Sequence, residues 1–512
     1  MRLSAALCLC TMVFFAPLRA DHHEGHADAG FVSIFDGKDL EASGWSGIDK
    51  FWSVEDGAIT GQTTVSNPTR GNTFCIWRQG EVDDFELKLQ YKIVGGNSGI
   101  QYRSREERNY VIAGYQADFE AGTTWSGTNY HERGRGILAK RSEKTIVFDT
   151  GKERKVVGSL GNTGELQKTI RHEDWNDYHI IARGRRFIHK INGVVMSDVT
   201  DRGVLDYRDR GVLAVQLHAG PPMKVQFRNI RLKRLPLEDR KKVVVIAGKK
   251  SHGKGSHEFY GGSQLLVDSL KENMRNMDAV LYAGGWPDDP TAFDNADAVV
   301  IYSDGHKSHP VHGHLKQLDA VMKRGVGLAC IHYAVEIEKG ATGGDYFLDW
   351  LGGFFELHWS VNPHWVAKYK SLPKHPITRG VEPFELDDEW YFHMRFRENM
   401  KGVTPILTAV PPPSTMDRKD GGRSGNPTVR AKVARGEPVH MAWATERPDG
   451  GRGFGFTGAH YHWSWGDDNF RTLVLNALVW ISGAEVPANG VPSTTPSRGD
   501  LRRMIGLSRE EP

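Results

Sequence analysis

The chain is short of cysteine, of net charge and of long apolar runs, and each shortage removes a class of function. Of its four cysteines, Cys8 and Cys10 fall in an N-terminal apolar run, which leaves only Cys75 and Cys330 and no disulfide framework. The 66 basic and 63 acidic residues give a formal charge of +3, too weak a field to gather nucleic acid or an anionic membrane. No stretch beyond the N-terminus approaches the ~18 consecutive apolar residues of a membrane span. At 512 residues the chain exceeds what one core supports, so two domains are expected.

The opening MRLSAALCLCTMVFFAPLRA has Arg2, an apolar run from Leu3 to Phe15 and a small residue, Ala20. It reads as a secretory signal peptide over residues 1–20, which predicts a secreted or periplasmic protein with no membrane insertion after cleavage. Residues 21–30, with His22, His23 and His26, read as a solvated leader.

From Phe31 to about Leu235 the pattern is β. DFELKLQYKI puts Phe85, Leu87, Leu89, Tyr91 and Ile93 on one face and charged or amide residues on the other. Turns at Asp56-Gly57 and Asn192-Gly193 suit tight hairpins. Many short strands with glycine turns over ~200 residues predict an all-β jelly-roll or concanavalin-like sandwich. Period two places Gln101 with Arg103, Gln116 with Asp118, and Gln216 with His218 on shared faces. Such a face suits polyol binding better than a core.

Residues 31–235 resemble the 3-keto-disaccharide hydrolase family through FDGKDL, FWSVEDGAITG, DFELKLQYKI, NSGIQYRS, GYQADFE, ERGRGIL, WNDYHIIARG, HKING and FRNIRLK. The resemblance implies cleavage of a 3-keto-glycoside by proton abstraction at C2, elimination and hydration. That chemistry needs a base, a donor to the C3 enolate and an acid for the leaving oxygen. Asp118 or His218 is the candidate base, and Arg103 with Gln101 the enolate holder. Glu132 or His131 is the candidate acid, with Gln116, Tyr130 and Gln216 as further sugar contacts. A surface ion pair of Glu132 with Arg133, and a lectin-like module without catalysis, are the competing readings.

Near RLPLEDRKK the period changes. KKVVVIAG, ADAVVIYSDG, VGLACIHYA and GRGFGFTGAH are apolar strands separated by helical segments, which predicts an α/β domain with a parallel, flavodoxin- or amidotransferase-like sheet over residues 241–484. Residues 485–512, rich in Pro, Ser, Thr and Arg, are expected to be disordered. Ligand sites in such sheets lie at the carboxyl ends of the strands. Reading past those ends gives His252, His257 and Glu258, then Asp304 and His306, then His332 and Glu336, then His460 and His462.

This half resembles the trehalose-utilisation ThuA family, whose fold is related to class I glutamine amidotransferases, through VVVIAGKKSHGKGSHEF, DAVVIYSDGH, GLACIHYAVE, WLGGFFELHWSVNPHW, HPITRGVEPFELDDEWYFHM and FTGAHYHW. Amidotransferases carry their nucleophilic cysteine in a Gly-x-Cys-x-Gly turn and a later His-x-Glu. Here no glycine flanks Cys330, and His462 stands where the glutamate would be. A cysteine hydrolase using Cys330 is therefore the lesser reading. The alternative is that His332 and Glu336, with His257, His358, His364 or His460, hold one divalent metal ion or act as acid and base directly. Asp304 and His460 are the candidate substrate contacts, and Glu389 and His393 possible rim residues. A small carbohydrate is the expected partner, and joining the domains would raise the concentration of one domain's product at the other.

Overall fold

Alternation of apolar and polar side chains decides the first half of the fold. In the computed structural model, which describes residues 28–149 and 154–508, the strand Phe85–Val94 buries every second residue along its length. It pairs with Asn176–Arg183 on one side and Met223–Arg234 on the other, inside a 10-stranded sheet. A 7-stranded sheet packs on that sheet. The inward faces of the two meet in one core that includes Leu87, Tyr91, Tyr102, Tyr115, Phe187 and Phe227. The expected β-sandwich is therefore present. The expected signal peptide and most of the histidine leader lie outside the described residues. No helix among the described residues is long and apolar enough to cross a membrane.

The second half follows its own period. Lys241–Ala247, Met277–Ala283, Ala298–Tyr302, Gly327–Ile331 and Arg452–Phe456 pair in parallel, and Val439–Glu446 and Val403–Ala409 extend the sheet antiparallel. Continuous apolar sequence is what a strand covered on both faces requires. The helix Asp468–Ile481 is buried over most of its length, and Phe259–Asn273 packs its apolar stripe on the same side.

One expectation needs correction here, and one lesser alternative falls. Over the described residues 484–508 the chain is ordered: it buries Val486, Val491 and Leu501 and forms a helix, Arg498–Met504, with a Ser497/Asp500 capping box. Asn476 Oδ1 accepts from Val491 N at 2.8 Å, and the buried Arg471 guanidinium donates to Ser493 and Thr495 hydroxyls. A few well-spaced apolar residues anchor a segment whose composition is otherwise polar. Cys330, in turn, is fully buried with Val244, Ile246 and Leu328, and burial pushes its thiol up. It is a packing residue and no nucleophile.

A buried charged cluster joins the halves. Lys242 donates to Asp83 (2.6 Å) and Asn295 (2.7 Å), Arg234 to Asp289 (2.7 Å), and Arg210 to Asp278 (2.6 Å). Three cations face three carboxylates, so the interface carries no net charge while every member is paired.

Candidate functional site

The outer face of the 7-stranded sheet carries a cleft of ≈ 450 Å³ lined by Asn72, Asn97, Gln116, Asp118, Trp125, Tyr130, Glu132 and His218, among others. Antiparallel register builds it, since Asn97 lies opposite Glu120, Gly99 opposite Asp118 and Gln101 opposite Gln116. Gly99 is required there, because a Cβ would come within 2.5 Å of the Gln116 side chain. Gln116 uses that space: its Oε1 accepts from Gln101 (2.6 Å) and Gln216 (3.1 Å), and its Nε2 donates to Asp118 at 3.1 Å. Gln101 and Gln216 are thus buried struts beneath Gln116 and do not line the cleft.

Asp118 is 6% exposed, and burial raises its pKa to about 8 against the hydrogen bonds from Gln116 and Asn97. Burial thus favours its neutral, protonated form. Burial also raises Glu132, whose Oε1 accepts from Asn72 at 3.2 Å. His218 follows the strand Val212–Leu217 and is half-buried. Its Nδ1 lies 2.6 Å from the Ala219 carbonyl, an acceptor only, so in the neutral ring Nδ1 carries the proton and Nε2 the lone pair.

Two candidates are misplaced by the sequence pattern. Arg103 sits in a β-bulge between Tyr102 and Arg105, at φ 44°, and the bulge breaks the alternation that put it beside Gln101. Its guanidinium is fully buried and donates to Asp84 (2.5 Å) and to the carbonyls of Asp83 and Gly184. It cannot hold an enolate in the cleft. His131 alternates away from Tyr130 and Glu132, is buried with its ring edge-on to Tyr115 at 5.2 Å, and burial lowers it to about 4. It is no acid for the cleft. Arg133 pairs with Glu107, leaving Glu132 free of the ion pair considered for it.

In the second domain, the strand-end histidines converge. His257, His332 and His460 meet Glu389, and one ligand atom from each lies within 4.8 Å of the others, all buried. His257 Nε2 is 3.1 Å from both His332 Nε2 and His460 Nδ1, and Glu389 Oε2 is 3.1 Å from His460 Nδ1. The second nitrogen of each of two rings is fixed, with His332 Nδ1 2.9 Å from the Thr457 carbonyl and His257 Nδ1 3.2 Å from Asp304. Both Nδ1 atoms therefore carry protons, and the two Nε2 lone pairs face each other. Such a pair repels unless a cation lies between. Burial holds His257 and His332 below the usual histidine range, so they stay neutral ligands. His257 and His332 both have left-handed backbones, φ 50° and 56°, a strain of about 1–3 kcal/mol each that is found where function demands it. The donor set fits a divalent ion of the zinc type.

Asp388 builds the far wall. Its buried carboxylate accepts from His460 N, Ala459 N and Ser464 Oγ. Burial pushes it up to about 6, against the pull of those hydrogen bonds. Asn362 Nδ2 fixes the outer Glu389 oxygen at 2.8 Å, and Tyr391 OH lies 3.2 Å from both Glu389 Oε2 and His332 Nε2.

Glu336, expected as a ligand, is not in this group. Arg423 clamps both its oxygens at 2.8 and 2.7 Å. Asp304 orients His257. His364 reaches only the rim, 3.7 Å from Glu389, and His393 stacks on Trp359 with its Nδ1 at the Trp359 carbonyl. His358 lies outside the group. His462 is buried against Gly261, and Glu258 bonds Gly255 N and Lys250.

Comparison with known proteins agrees with this division. Residues 30–233 match the 3-keto-alpha-glucoside-1,2-lyase-like domain family and residues 243–481 the trehalose utilisation family. No curated protein matches the chain. Among solved structures, carbohydrate-binding module CBM66 from Bacillus subtilis is 14% identical over 37% of this chain and 95% of its own, at TM-score 0.26. A protein described as a glycosyl hydrolase from Parabacteroides distasonis is 21% identical over 41% and 97%, at TM-score 0.28. A ThuA-like protein from Bacteroides uniformis is 16% identical over 48% and 94%, at TM-score 0.34. By these matches the chain joins a segment similar to the first family to a segment similar to the second.

Proposed function

We propose that the protein is a carbohydrate-active enzyme whose sandwich cleft cleaves 3-keto-glycosides by elimination and hydration. The observation that carries the reading is a cleft that holds the buried Asp118, whose neutral form burial favours, together with the half-buried His218, whose Nδ1 is engaged by the Ala219 carbonyl. A ketone at C3 acidifies the hydrogen on C2. His218 Nε2 takes that proton, and the electron pair moves toward the C3 oxygen, where the Asp118 carboxyl donates a hydrogen bond. Collapse of the enolate expels the glycosidic oxygen, which takes its proton from Glu132. Water then adds across the new double bond. Assigning the base to His218 follows from Asp118 being protonated at neutral pH.

The second domain holds a divalent metal through His257, His332, His460 and Glu389 in this reading. Such an ion would polarise a sugar carbonyl. The chain's own contribution there is to orient His257 through Asp304 and His332 through the Thr457 carbonyl.

The test is turnover of a 3-keto-glucoside by the full chain, with release of the leaving alcohol as readout. His218→Ala and Glu132→Gln should each lower kcat by about 10²–10⁴-fold. Sugar binding without any release by the wild type would replace the enzyme with a lectin.

A further inference from the structure

We infer that Trp125 forms a second sugar subsite at the mouth of the sandwich cleft, one that stacks the leaving-group ring of a disaccharide or aryl glycoside. The inference rests on the cleavage reading above and adds to it what the enzyme selects.

Trp125 is 38% exposed and lines the cleft that holds Asp118, Glu132 and His218. It lies in the loop between the strands Val111–Glu120 and Asn129–Glu132. An exposed indole on a floppy loop would fold back onto the protein. This one is held out by a loop fixed from several sides. Glu120 Oε1 accepts from Trp125 N at 2.9 Å and also from Thr124 N. Buried Arg141 donates to the carbonyls of Thr123 and Ser126, each at 2.7 Å. Ser126 Oγ accepts from Glu120 N at 3.0 Å, and Thr128 N donates to the Trp125 carbonyl at 3.0 Å. Gly127, at φ 87°, lets the loop lie on Met196, where a Cβ would come within 2.6 Å. The backbone on both sides of the indole is thus set before any ligand arrives, so stacking a ring on it costs little ordering entropy.

The position fixes which ring it meets. The acid at the cleft floor, Asp118, is buried, so the ring bearing the ketone must reach inward to it. The group that leaves lies outward, at Trp125. An indole face matches the C–H face of a pyranose or an aryl ring and offers nothing to a small alcohol. Trp125 is therefore the residue that favours a cyclic leaving group over a small alcohol.

The experiment compares a 3-keto-disaccharide with the methyl 3-keto-glucoside on the full chain and its Trp125→Ala and Trp125→Phe variants. Trp125→Ala should raise KM for the disaccharide about tenfold, the equivalent of about 1.4 kcal/mol, leave the methyl glycoside within about twofold, and regain most of the loss as Trp125→Phe. Equal effects on the two substrates, or none on either, would overturn the subsite while leaving the cleavage reading intact. A wild type that cleaves neither substrate would overturn both.

Discussion

Asp118→Asn should stabilise the protein, and the gain should depend on pH in a way only a buried neutral acid produces. Burial raises the folded pKa to about 8 from the 3.8 of a free aspartate. A raised carboxyl contributes its full stability below 3.8, where both states are protonated, and loses it as pH climbs through about 8. At pH 7 the unfolded chain gains from ionising while the folded one does not. At 1.36 kcal/mol for each unit of pH between 3.8 and 7, the native state forgoes about 4 kcal/mol, and about 6 above pH 9. Asparagine has the same shape, keeps a carbonyl for Gln116 Nε2, and never ionises. The variant should therefore exceed the wild type by about 4 kcal/mol at pH 7 and by under about 1 near pH 4. The assay is urea unfolding of the full chain from pH 4 to 9, with the sandwich transition identified by loss of amide protection. A gap that stays flat with pH, or a variant less stable at pH 7, would refute a protonated Asp118 and with it the choice of His218 as base.

Other consequences are as direct. Cleavage should fall as pH rises through about 8, because ionised Asp118 can no longer donate to the enolate, and a pH–rate profile on a 3-keto-glucoside reads this. Arg103→Met should cost about 3–5 kcal/mol in denaturant unfolding by stranding buried Asp84, with KM unchanged in the protein that remains folded. After loading with zinc and dialysis, His332→Ala should retain under about a tenth of an equivalent, whereas Glu336→Gln should retain as much as the wild type, both measured by elemental analysis. Deleting residues 485–512 should destabilise the second domain by about 1.5–3 kcal/mol for each of Val486, Val491 and Leu501, seen as a lower unfolding midpoint.

Both folds were legible because each half repeats one period over long stretches: alternation in Phe85–Val94, and apolar runs that fill Gly327–Ile331 and all of Lys241–Ala247 after its two lysines. The strand-end rule found His257, His332 and His460, since parallel strands bring residues far apart in sequence to one edge. It did not assign Glu389 to the centre, because that residue ends a strand of a separate two-stranded sheet paired with His364–Tyr369. Nor could it see that Glu336 is consumed by Arg423, a loop residue 87 positions on. Arg103 went astray for a local reason: period two holds only until a bulge, and nothing in NSGIQYRS marks one. Trp125 carries no periodic signal at all, since its role depends on a loop fixed by Arg141 and Glu120.

The charged cluster between the domains bears on how the two sites can cooperate. In the sandwich it gathers Asp83, Arg210 and Arg234, at the start of Phe85–Val94, just ahead of Val212–Leu217 and at the end of Met223–Arg234. His218, Asn72 and Asn97 occupy the opposite ends of the neighbouring strands. In the second domain the cluster takes Lys242 and Asp278, near the amino ends of their strands, and Asp289, in the segment that follows Met277–Ala283. The cleft residues of the sandwich thus lie at the strand ends away from the joint. The paired charges resist hinge motion between the domains, since opening the joint would expose or strand six charges at once. On the proposed function, fusion would raise the local concentration of one domain's product at the other.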